Sequence, residues 1–97
     1  MSDSVIINSW HVYILRCADG SLYTGIAKDV VRRLDEHNSG GRLAAKYTRV
    51  RRPVELVYVE TVGSRSAAAR REYAIKRLGR GAKESLILHG SVPGKEV

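Results

Sequence analysis

The stretch "HVYILRCADGSLYTGIA", residues 11–27, constrains the fold more than any other part of the chain. Two apolar runs rich in Val, Ile, Leu and Tyr flank the pair Asp19-Gly20. Residues that suit a pleated surface on both sides of an Asp-Gly pair specify a β-hairpin. Strands are expected over 10–16 and 21–26, joined by a type I′ turn whose two central residues take positive φ. Pairing back from that turn puts Tyr13 and Tyr23 on adjacent strands, about three residues apart in register, with the face of each left open.

After the hairpin, Asp29 is a good N-cap for a helix that carries Val30 and Leu34 on one face and stops at "NSGG", around residue 38 or 39. Arg33 and His37 stand four apart and share a face at the border of that apolar stripe. The connection "GGRLAAKYTRVRRP" is irregular and basic, with a short helical turn expected over 43–47. "VELVYVETV" reads as a third strand. Ser64 or Ser66 can cap a helix over about 66–78, with Ala68, Glu72 and Ile75 near one face and Gly79 as its C′ residue. A last helix over roughly 82–89 contributes Leu86 and Ile87. The order β-β-α-β-α-α implies a small, mainly antiparallel α+β fold with helices against the sheet. The 97 residues fit one domain over 10–89, with an N-terminal extension over 1–9 and a loose tail over 90–97.

Charge narrows the partner. Lys and Arg total 17 against 10 acids, a formal charge of +7 at a pI near 10, which favours a polyanion such as nucleic acid. Arg outnumbers Lys 12 to 5, and its planar fork grips phosphate in a bidentate way. Cys17 is the sole cysteine, which excludes an intrachain disulfide and a Cys-rich zinc site and suits a reducing, cytoplasmic location. No apolar run approaches the length of a membrane span, and the N-terminus has no signal pattern, so no membrane partner is expected.

Arg42, Lys46, Arg49, Arg51 and Arg52 fall between residues 42 and 52 with no acid among them, interleaved with Tyr47 and Thr48. Such a segment can follow a phosphate backbone and stack a base, and Lys76 is a further candidate contact.

"VYI" in the first strand, "YTG" in the second, Arg then His in the following helix and Glu in a later one resemble the GIY-YIG endonuclease superfamily. "YTGIAKDVVRRLDEHN" and "KYTRVRRPVELVYVE" look most like its small, stand-alone bacterial branch. The resemblance covers about residues 10–88. It implies a three-stranded antiparallel sheet flanked by helices and a nuclease that uses one divalent ion, Mg²⁺ or Mn²⁺. By motif position it assigns Tyr13 and Tyr23 as the two tyrosines, Gly25 as the motif glycine, Arg33 and His37 as the helix pair, and Glu72 as the metal-binding carboxylate. The family includes homing endonucleases, restriction enzymes, resolvases and a DNA-repair incision subunit, so DNA is favoured over RNA, structure over base sequence, and a protein partner for targeting fits the short chain. The pattern is broken at His11 and Thr24, where relatives have glycine and isoleucine, and at Ile26, where some have lysine. A late asparagine found in some relatives has no counterpart. The reading from another class is a non-catalytic nucleic-acid-binding protein that keeps the fold.

Phosphodiester hydrolysis needs a deprotonated water, a cation for the phosphoryl oxygens and support for the leaving alkoxide. Tyr13 can accept the proton only if a cation such as Arg33, Lys76 or the metal lowers its pKa, and Tyr23 can hold the phosphate or the water, with the two roles exchangeable. Arg33 suits a phosphate clamp, His37 can orient the phosphate or shuttle a proton, and Glu72 suffices as a metal ligand if water and substrate oxygens complete the shell. The plain alternatives are a packed sheet tyrosine, surface helix residues and an ordinary Glu72-Lys76 pair. As a catalytic unit the five residues should converge on one cleft, with Glu72 on the same side of the sheet as Arg33.

Overall fold

The computed structural model describes residues 9–90, so nearly all of the expected N-terminal extension and tail lies outside the described residues. Strand β1 (Trp10–Arg16), strand β2 (Leu22–Ala27), helix α1 (Val30–Ser39), the one-turn helix α2 (Lys46–Arg49), strand β3 (Glu55–Val62), helix α3 (Arg65–Lys76) and helix α4 (Arg80–His89) follow in that order. The sheet is antiparallel in the order β2-β1-β3, the expected α+β class. Among the described residues no helix is long and apolar enough to cross a membrane.

The hairpin forms, but its turn is not type I′. Gly20 has φ 86°, and among the described residues no non-glycine residue has positive φ. The Gly20 N–H donates to the Cys17 carbonyl at 2.8 Å, and the Cys17 N–H donates to that of Ser21 at 2.8 Å. This is a three-residue loop, a type I turn closed by a left-handed glycine. Asp19 keeps negative φ while its carboxylate accepts the Ser21 N–H at 3.0 Å and the Ser21 hydroxyl at 2.6 Å. The longer loop resets the register. Leu15 faces Tyr23 and Tyr13 faces Gly25, so the tyrosines are two positions apart instead of three and lie on the same face.

Central strand β1 is buried on both sides. Val12 and Ile14 pack with Ala68 and Ile75 of α3 and with Leu86 and Ile87 of α4. Tyr13 and Leu15 face the other way, into a cluster with Cys17, Val54 and the α1 residues Val30 and Leu34. Each aliphatic side chain so buried contributes about 1.5–3 kcal/mol. A bidentate pair from Arg16 to Glu84, 2.9 Å at both contacts, ties α4 to the end of β1.

Helix α1 starts where expected, with the Asp29 carboxylate accepting the Arg32 N–H at 3.0 Å, and ends at left-handed Gly40, φ 72°. Its buried face runs through Val30, Leu34 and His37, and His37 is the one fully buried residue of the helix, not a border residue. Three other boundaries move. The short helix falls at Lys46–Arg49, later than the expected 43–47, because Gly41 to Ala44 form a turn, with the Ala44 N–H donating to the Gly41 carbonyl at 3.1 Å. Helix α3 ends at Arg77 in a right-handed conformation. Gly79, at φ −72° and ψ 168°, is not its C′ residue but the N-cap of α4, which therefore begins at Arg80.

Candidate active site

Tyr13 is 2% exposed, and its hydroxyl lies 2.9 Å from Nε2 of His37. To get there the phenol crosses β2 over Gly25. A Cβ at Gly25 would sit 2.6 Å from Tyr13 Oη, 2.7 Å from Cζ and 3.2 Å from Tyr23 Cε2, approaches the fold cannot accept without moving the ring. Gly25 has no positive φ, so the close side-chain approach, and not its backbone conformation, explains this glycine.

His37 is wholly buried, and its second nitrogen, Nδ1, lies 2.7 Å from Thr48 Oγ1. Thr48 is also wholly buried and lies 3.1 Å from the Ala45 carbonyl, to which its hydroxyl can donate. Around this chain the rings are in mutual contact. Tyr13 and Tyr23 have centroids 6.5 Å apart, Tyr23 and His37 5.2 Å, and Tyr23 and Tyr47 are stacked at 5.9 Å. The Arg51 guanidinium covers the Tyr47 ring at 3.9 Å.

One turn before His37, Arg33 donates from Nη1 to Glu36 Oε1 at 2.9 Å and to the Leu43 carbonyl at 2.5 Å. Burial works against its charge, but hydrogen bonding to Glu36 and Tyr13 outweighs that and holds its pKa above the ordinary value. Burial pushes the Tyr13 phenol up to about 12, with Tyr23 adding to the effect, Arg33 opposing it and the charge of Glu72 adding a little. Burial, reinforced by the Arg33 charge, takes His37 down to about 4 against the opposing pull of Glu36. The resting pair is therefore a neutral phenol bonded to a neutral imidazole.

Tyr13, Tyr23, Arg33 and His37 form one cluster on the α1 face, and Glu72 approaches from the other side. Helix α3 packs on the opposite face of the sheet from α1, which corrects the expectation that Glu72 and Arg33 share a side. The sheet order accounts for this: β2 is an edge strand, and α3 lies against the β1–β2 half of the sheet, so that Lys76 of α3 and Tyr23 of β2 line one hollow. That hollow, of about 260 Å³, is lined by Leu22, Tyr23 and Thr24 of β2 together with Tyr47, Lys76 and Lys83. Half-buried Glu72 sits one turn from Lys76, whose Nζ is 3.2 Å from its Oε2, and its charge is felt at Tyr13.

Among the described residues no three His, Cys, Asp or Glu side chains gather as a metal cluster. A divalent ion at Glu72 would rest on one carboxylate. That donor set fits a hard cation that keeps several waters and takes further oxygens from a substrate, and it does not fit a resident structural metal.

The basic segment is less free than its sequence suggests. Arg51 donates to Asp19 at 3.2 Å and to the Tyr47 carbonyl at 2.9 Å, so the hairpin supplies the acid that residues 42–52 lack. Arg49 donates to the Ala44 carbonyl at 3.3 Å and Arg52 to that of Arg49 at 2.9 Å. Arg42 and Lys46 are exposed and make no hydrogen bond or ion pair among the described residues. Thr48 was legible in the sequence only as a polar residue within the basic run. Nothing local marks it as the partner of a histidine eleven residues earlier.

The family of the GIY-YIG catalytic domain matches residues 9–85. A UPF0213 protein of Desulfotalea psychrophila is 56% identical over 79 residues, 81% of this chain and 71% of that one. One from Staphylococcus saprophyticus is 51% identical over 80 residues, 82% of this chain and 95% of its own. Among solved structures, the solution NMR structure of the UPF0213 protein BH0048 from Bacillus halodurans aligns with TM-score 0.54 at 48% identity, over 86% of this chain and 87% of that one. That of EF2693 from E. faecalis aligns with TM-score 0.55 at 36% identity, over 92% and 95%. With a catalytic-domain match over most of its length and relatives above half identity, the chain belongs to the GIY-YIG family.

Proposed function

We propose that this chain is a divalent-metal-dependent endonuclease that hydrolyses phosphodiester bonds in DNA, directed by strand structure and not by base sequence. The reading takes residues 10–89 as one nuclease domain acting in the cytoplasm, with a separate protein for targeting. The observation that carries it is the buried Tyr13–His37 hydrogen bond beside Arg33 in a chain of a nuclease family.

In this reading Tyr13 takes a proton from the attacking water as it passes its own to His37 Nε2. Burial raises the phenol and lowers the imidazole, so in the resting protein that transfer is strongly uphill. It therefore has to coincide with the arrival of positive charge near the phenol. Glu72 would hold Mg²⁺ or Mn²⁺, whose charge offsets that on the phosphoryl oxygens. Arg33 clamps the phosphate and stabilises the developing phenolate, and Tyr23 orients phosphate or water from the neighbouring strand. Arg42, Lys46, Tyr47 and Lys76 line the approach, with Arg49, Arg51 and Arg52 behind them. All these contacts are to backbone or stacked rings, which is why the reading favours structure over sequence.

The test is incubation of purified protein with labelled linear, flapped, branched and single-stranded DNA and RNA, with Mg²⁺, Mn²⁺ or chelator. Metal-dependent cuts on a structured DNA support the reading. Binding without cleavage in any metal supports the non-catalytic alternative.

A further inference from the structure

Thr48 touches nothing that a substrate would touch, yet it is wholly buried and hydrogen-bonded at both ends. Its hydroxyl has one hydrogen and lies between Nδ1 of His37 at 2.7 Å and the Ala45 carbonyl at 3.1 Å. Two arrangements exist. In the first, the Thr48 hydroxyl donates to the Ala45 carbonyl and accepts the His37 Nδ1–H. His37 Nε2 is then an empty lone pair, and the Tyr13 hydroxyl donates to it across 2.9 Å. In the second, Thr48 donates to Nδ1, His37 carries its hydrogen on Nε2 and donates it to the Tyr13 oxygen. The Thr48 oxygen then faces the Ala45 oxygen with no hydrogen between them, and the Tyr13 hydroxyl hydrogen loses its buried acceptor. Arg33, a donor only, already acts on the Tyr13 oxygen, so it cannot take that hydrogen. The Ala45 carbonyl also accepts the Arg49 N–H at 3.0 Å, so it stays paired in both, but the second arrangement leaves the buried Tyr13 hydroxyl hydrogen without an acceptor and sets two oxygens 3.1 Å apart with no hydrogen between them, whereas the first satisfies every group.

We infer that Thr48 is a positioning residue that fixes the tautomer of His37, leaving Nε2 free to take the Tyr13 proton. The inference rests on the proposed nuclease reading for its use, but not for its geometry. It also gives α2 a double task. The helix turns Lys46, Tyr47 and Arg49 outward, where a nucleic-acid strand would lie, and Thr48 inward against His37, so grip and proton acceptor share one turn of chain.

The test is histidine-selective ¹⁵N NMR on the full chain. In the wild-type protein Nδ1 of His37 should give the shift of a protonated ring nitrogen and Nε2 that of an unprotonated one. In Thr48→Val, where Nδ1–H loses its acceptor, the share of the Nε2-protonated form should rise, and Thr48→Ser should restore the original pattern. Protonated Nε2 in the wild-type spectrum overturns the inference, whether or not the chain cuts DNA. Where cleavage is measured, Thr48→Val should lower the single-turnover rate about tenfold or more with substrate affinity retained, and Thr48→Ser should recover most of it. A Thr48→Val protein that keeps the wild-type tautomer and rate also overturns the inference. Absence of cleavage from the wild-type chain refutes the nuclease reading and leaves the tautomer result to stand by itself.

Discussion

Tyr13 and His37 are joined by a 2.9 Å hydrogen bond between neighbouring elements, strand β1 and helix α1, with both side chains out of solvent. The bond exists because Gly25, the cross-strand partner of Tyr13, has no side chain where the phenol passes. Substituting Gly25→Ala should therefore act on chemistry through geometry. The added methyl displaces the Tyr13 ring, destabilises the fold by about 1–3 kcal/mol and lowers single-turnover cleavage on the order of a hundredfold. Urea unfolding and a cleavage time course measure the two effects. A variant with wild-type rate shows that the Tyr13 position does not matter to the reaction.

His37 also makes stability depend on pH. Its folded-state pKa is depressed to about 4 from an ordinary 6.5, so the unfolded chain takes up a proton that the folded chain refuses. Stability is therefore intact above pH 6.5 and falls as pH drops towards 4, by up to roughly 3 kcal/mol. Asp19, Glu36 and Glu84, whose pKa values are also lowered, add to acid loss nearer the ordinary carboxylate range. The difference in urea midpoint between the wild type and His37→Gln isolates the histidine, and should shrink steadily across that window. Parallel curves would mean that His37 titrates freely in the folded protein.

Binding is the third measurable property. Arg42 and Lys46 are exposed and unpaired among the described residues, whereas Arg49, Arg51 and Arg52 hold loop carbonyls or Asp19. Arg42→Ala and Lys46→Ala should each flatten the plot of log affinity against log salt by roughly 0.7 to 0.9 without loss of stability. The triple change Arg49→Ala, Arg51→Ala and Arg52→Ala should flatten it too, but lower the urea midpoint as well. An unchanged slope in all of these variants would put the strand elsewhere, along Arg70 and Arg77 of the opposite face.

Much of this arrangement was legible before any coordinates. Element order, the hairpin, the Asp29 cap and the shared helix face of Ala68 and Ile75 follow from local turn chemistry and apolar spacing. What failed was set by one residue of turn length or by long-range contact. The extra loop residue, Ala18, moved Tyr23 by one position in register and so decided its face. The depth of His37 depends on α1 packing over β1, which spacing within the helix does not fix. The side of the sheet on which α3 carries Glu72 requires the tertiary packing, and Thr48 finds His37 only once both are folded. Gly25 stood out as the motif glycine, but the group that requires it, the phenol of Tyr13, was not legible.

On the proposed reading the Tyr13–His37 cluster and Glu72 perform one metal-assisted hydrolysis together. Single-turnover cleavage of a flapped or branched DNA by the wild type, Tyr13→Phe and Glu72→Gln, with binding measured separately in chelator, tests it most directly. The expected result is cleavage by the wild type only when Mg²⁺ or Mn²⁺ is present. Each variant should bind near normally and cut on the order of a hundredfold more slowly. Cleavage that continues in chelator, or at the wild-type rate in both variants, would contradict the claim.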